Sequence, residues 1–74
     1  MSPDFVRNSV SRRPFRPFII HLAGGRSIPV PSPEFIDLPA GGRLILVESA
    51  AGNAHVIDLL LVTDLEFPGA SILD

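Results

Sequence analysis

"RRPFRPFIIHLAGGRSI", residues 12–28, is the stretch on which the fold turns. Pro14 and Pro17 carry no amide proton, so "PFRPF" is expected to be an extended approach or a sheet edge rather than a central strand. From Phe18 the apolar residues alternate. Phe18, Ile20 and Leu22 share one face, and Ile19 and His21 share the other, which is the period of a β-strand. Gly24-Gly25 is a hairpin turn of the kind that needs positive φ. Pairing should resume at Arg26, with Ile28 and Val30 alternating against Ser27 and Pro29. The same stretch raises a second question. Arg12, Arg13 and Arg16 lie beside Phe15 and Phe18, a composition that could serve phosphate contact and base stacking.

Toward the N-terminus, Ser2 can cap a helix, Pro3 suits its first turn and Asp4 favours its positive end. Phe5, Val6 and Val10 supply part of an apolar face, and Pro14 must stop the helix. A helix over 3–11 follows. Toward the C-terminus, "PSPEF" breaks the ladder, and Ser32 before Pro33 suits a single capped turn. Residues 35–38 are extended, and "PAGG" (39–42) turns the chain. "RLILVES" (43–49) is apolar on both faces, with Leu44 and Leu46 on one and Ile45 and Val47 on the other. After the "AAGN" turn, "AHVID" (54–58) returns. In "LVTDLEF" (61–67), Leu61, Thr63, Leu65 and Phe67 oppose Val62, Asp64 and Glu66. Asp58 stands before a tight turn, where its carboxylate can accept from the amide of Leu60 or Leu61. One helix and about five short strands suit a mainly β chain: a small five-stranded antiparallel barrel of the SH3/Sm-like kind with an N-terminal helix. The expected layout is one domain over 1–74, with the helix at 3–11, the barrel at 15–67 and a tail at 68–74.

Composition narrows the function. The chain has 74 residues, which allows one domain. It has no cysteine, so neither a disulfide nor a thiolate-bound zinc can staple so small a core. A hydrophobic share of 46% is high for a domain that must also cover itself with polar groups, so self-association or a docking partner is expected instead. Net charge is −2 and there is no lysine, which argues against a general nucleic-acid binder. The longest apolar run falls far short of the about 20 residues of a membrane span, so no membrane partner is expected. Asp4, Arg7 and Asn8 interrupt the N-terminus before a signal-like apolar stretch, and with the missing cysteines this points to the cytoplasm.

"PFRPFIIHLAGGRSIPVPSPEFIDLPAGGRLILV" followed by "HVIDLLLVTDLE" resembles a group of short bacterial proteins of uncharacterised function. Their pattern is a leading helix, a Pro-Phe-x-Pro-Phe entry, a strand ending in Gly-Gly-Arg, a Pro-Glu-Phe turn and a closing "IDLL-x-V-T-x-[IL]-E". The likeness runs from about Arg13 to Glu66 and carries no chemistry with it. More distantly the layout is similar to the Sm-like barrel. "HLAGGRSI" stands in the place of that fold's first hairpin, and "VIDLLLVTDLE" in the place of its last two strands. Sm-like RNA binders place a basic Arg-Gly or Lys-Gly turn before the last strand. Here that turn is Asp58-Leu59, of opposite charge and without glycine.

Catalytic constellations are missing. No serine lies in a nucleophile-elbow motif, and the two "GGR" turns (Gly24–Arg26 and Gly41–Arg43) open no helix and form no phosphate loop. His21 and His55 with Asp58 or Glu48 would make at most a minimal metal site, and no ligand spacing supports one. Neither an enzyme nor a cofactor is expected. The informative surplus is apolar. Strands 43–49 and 56–62 hold more hydrophobic residues than one barrel interior absorbs. Ile45, Val47, Leu59, Leu60 and Val62 are therefore the expected interface, for self-association or a protein partner. The alternative is an Sm-like nucleic-acid binder that uses Arg12, Arg13, Arg16, Arg26 and Arg43. It requires those five to converge on one face.

Overall fold

A computed structural model describes residues 1–69 of the chain. Helix α1 spans Pro3–Ser11. Its start rests on Pro3 in the first turn and on the Ser2 carbonyl, which accepts from the Val6 amide at 3.3 Å. The Ser2 hydroxyl makes no capping bond, contrary to the expectation from sequence. Asp4 instead meets Arg7 at 3.2 Å on the exposed side. Val6 is fully buried and Val10 packs partly against the core, while Phe5 faces outward. The helix is thus anchored chiefly by one side chain.

The strands form two antiparallel three-stranded sheets, not the closed five-stranded barrel expected above. In the first sheet, β1 (Phe18–Leu22) lies between β2 (Ser27–Val30) and β6 (Val62–Glu66). In the second, β4 (Leu44–Glu48) lies between β3 (Ile36–Asp37) and β5 (Ala54–Asp58). The prolines explain the correction. Pro31 and Pro33 supply no amide proton, and residues Pro33–Phe35 coil into a 3₁₀ turn, so the chain leaving β2 joins another sheet as a sixth strand. A second 3₁₀ turn, Leu59–Leu61, moves the chain back from β5 to β6. Two backbone bonds tie this turn to both sheets: Leu59 N–H to the Arg43 carbonyl and Ala23 N–H to the Leu61 carbonyl, each 2.8 Å.

The core lies between the sheets. Phe18 and Ile20 of β1, Ile28 and Val30 of β2, Ile36 of β3, Ile45 and Val47 of β4, Ile57, Leu59 and Val62 are all buried. Alternation holds along β4 and fails along β6. His21 pairs with Asp64 but Leu22 pairs with Val62, so Thr63 is an extra residue with no partner on β1. The Thr63 hydroxyl donates to the His21 carbonyl at 3.1 Å within this bulge. The extra residue lets Val62 and Leu65, which a regular strand would place on opposite faces, both turn inward. Pro68 and Gly69 end the described chain in a turn, and the rest of the expected tail lies outside the described residues.

Candidate functional site

Period-two alternation along β4 sends Ile45 and Val47 to the core and leaves Leu44 and Leu46 on the outer face. Leu44 is 46% and Leu46 38% exposed. Across the β4–β5 ladder Leu46 pairs with Val56, which is 67% exposed, and across β3–β4 it pairs with Asp37. An apolar stripe therefore crosses the outside of the second sheet. The 3₁₀ turn at Pro33–Phe35 walls one side of it and leaves a shallow groove of about 430 Å³. Phe35, Leu46 and Val56 line that groove, with the carboxylates of Glu34, Asp37 and Glu48 around them.

This differs from the interface expected from sequence. Ile45, Val47, Leu59 and Val62 are core residues, each 5% exposed or less, and only Leu60 of that set is on the surface, at 71%. Leu61 beside it is also exposed. Leu44, Leu46, Val56 and Leu61, in the same two segments, are exposed instead. Glu48 shares the face of Leu44 and Leu46, but Arg43 shares that of Ile45 and Val47, so charge along the segment does not mark the covered side.

Asp58 links the stripe to the second 3₁₀ turn. Its carboxylate accepts from the Leu60 amide at 2.9 Å, which is the capping role expected from sequence, and from Arg43 Nε at 3.1 Å. The bond from the Leu60 amide, aided by Arg43, holds the Asp58 carboxyl below its ordinary value against the opposing effect of desolvation.

Arg26 and Arg43 engage opposite ends of β5. Arg26 reaches from the β1–β2 hairpin to His55 Nδ1 at 3.2 Å, near the start of β5, whereas Arg43 meets Asp58 at the other end of that strand. Arg13 folds back onto the carbonyls of Val10 and Arg12, each at 2.8 Å. Arg12 is exposed and Arg16 half-buried in the connection from α1 to β1. The neighbouring phenylalanines belong to the core. Phe15 and Phe67 flank buried Phe18 at ring separations of 5.8 and 5.5 Å. His21 Nε2 donates to Glu66 Oε1 at 2.8 Å, so the two histidines, which lie in separate sheets, have separate partners. Among the described residues no helix is long and apolar enough to cross a membrane. Comparison with protein-family models, with curated proteins and with solved structures finds no match to this chain.

Proposed function

We propose that the protein is a non-enzymatic interaction module of the cytoplasm that associates with itself through the outer face of β4 and β5. The observation that carries this reading is the exposed, contiguous set Leu44, Leu46 and Val56. Three large aliphatic side chains lie together on one sheet of a small chain, where isolated exposed residues would call for no explanation. Burying such a stripe removes apolar surface from water at about 25 cal/mol per Å². The absence of cysteine fits a reducing compartment.

Light scattering across a dilution series tests this reading. The mass is expected to rise above that of a single 7.9 kDa chain as concentration increases. The double substitution Leu46→Ser and Val56→Ser should hold the protein at the single-chain mass without unfolding it. A single-chain mass for the unmodified protein at every concentration overturns the proposal.

A further inference from the structure

We propose that this self-association is a two-fold dimer in which the free edge of β5 pairs antiparallel with β5 of a second copy, centred on Val56. The inference rests on the self-association proposed above and moves its contact from the open face to the edge of β5, where Val56 of the stripe meets Val56 of the second copy. It starts from the four sheet edges. An exposed edge is a template for another strand unless something blunts it, such as a proline, a bulge, charges or very short length. Edge β2 contains Pro29 and runs into Pro31. Edge β6 has the bulge at Thr63 and carries Asp64 and Glu66. Edge β3 is two residues long. Edge β5 is five residues long, regular in its pairing with β4, and free of proline.

The backbone of β5 is oriented for such pairing. At the two ends of the β4–β5 ladder, Ser49 N–H donates to the Asn53 carbonyl and Leu59 N–H to the Arg43 carbonyl, each at 2.8 Å. In an antiparallel pair, residues that exchange bonds with one neighbour alternate with residues whose groups point the other way. With this register His55 and Ile57 face β4, and Ala54, Val56 and Asp58 turn their N–H and C=O groups to the open edge. Among the described residues, no backbone bond outside the sheet ladders uses those groups.

The strand is also complementary to itself. A two-fold axis at Val56 places Val56 against Val56 of the second copy and Ala54 against Asp58 of the second copy. All three outward-facing residues then exchange bonds, and no like charges oppose each other. An axis at Asp58 would instead set two carboxylates face to face. On the outer face the stripe doubles, running Leu46, Val56, then Val56 and Leu46 of the second copy. Asp58 brings no unpaired charge, because Arg43 and the Leu60 amide already hold its carboxylate.

Val56→Cys tests the register directly, since the chain has no other cysteine. Cβ atoms of a bonded antiparallel pair are about 5 Å apart, wider than a direct disulfide favours but within reach of a short bis-thiol crosslinker. A short bis-maleimide should convert V56C largely to a covalent dimer, while Leu60→Cys, at a position similarly exposed but off the edge, should stay largely uncrosslinked. V56K, which sets two ammonium groups against each other, should weaken dimerisation about tenfold or more. In the unmodified protein, the Ala54, Val56 and Asp58 amides should exchange with solvent more slowly at high concentration than at low. A concentration-dependent dimer whose Val56 amide stays fast, and in which V56C fails to crosslink, overturns the edge pairing and leaves self-association standing. A single-chain mass at every concentration overturns both. A closed assembly of three or more copies overturns the two-fold arrangement.

Discussion

Asp58 shows how much one side chain can hold at a strand end. It sits where β5 gives way to the 3₁₀ turn, takes the Leu60 amide at 2.9 Å and draws in Arg43. Its folded pKa lies below the ordinary value of 3.8, so its contribution to stability is complete above about pH 4 and is lost as the pH falls through the lowered value. Urea unfolding between pH 5 and pH 2 should therefore lose a component that Asp58→Asn lacks. At neutral pH, Asp58→Ala should lower the urea midpoint more than Asp58→Asn, because asparagine still offers an acceptor to the Leu60 amide. Gly42 is a second such position. Its φ of 72° lies in the left-handed region, and a Cβ there would meet the Pro3 Cβ at 3.3 Å. Gly41, at φ 105°, has open space around it. Each alanine substitution should cost about 1–2 kcal/mol for the backbone. At Gly42 the approach to Pro3 adds to that backbone cost, and thermal unfolding of Gly42→Ala against the unmodified chain reads the sum.

At the scale of the element, β4 is two surfaces on one strand. Ile45 and Val47 are 1% exposed and pack into the space between the sheets, whereas Leu44 and Leu46 face outward. Ile45→Ala leaves a cavity and should cost about 2–5 kcal/mol. Leu46→Ala removes a similar side chain from the surface and should cost under about 1 kcal/mol in the single chain, measured by urea unfolding at low concentration. Strand β6 makes the complementary point. Its bulge at Thr63 changes which side chains face inward, so that Val62 and Leu65 both serve the core. Nothing in "LVTDLEF" announces an extra residue. It follows from pairing with β1, whose Ile20 and Leu22 both need apolar partners across the ladder.

For the molecule as a whole, the difficulty is size. A chain of 74 residues has about 4–11 kcal/mol of stability at typical values per residue. Among the described residues six large hydrophobic side chains are nevertheless exposed, Phe5, Leu44, Leu46, Val56, Leu60 and Leu61. Pairing that covers part of this surface stabilises the folded state by mass action, about 2.7 kcal/mol when the partner concentration is a hundred times the dissociation constant. The melting temperature should therefore rise with protein concentration in the unmodified chain. In V56K it should stay constant across the same series, which scanning calorimetry at two concentrations would show.

Local chemistry is what the sequence by itself determined. Pro3 and Pro14 bound the helix, Gly24-Gly25 marks the first hairpin, with Gly25 at φ 92°, and Asp58 before the leucines signals a capped turn. These rest on steric and hydrogen-bonding rules that act within a few residues. Three features were decided only by tertiary structure: the division into two sheets, the bulge in β6, and the inward face of β4. Alternation separates Leu44 and Leu46 from Ile45 and Val47, but both pairs are aliphatic, and a strand that is apolar on both faces carries no internal sign of which face is covered. The choice depends on the opposing sheet and on α1, which supply Phe18, Ile20 and Val6 from distant parts of the chain.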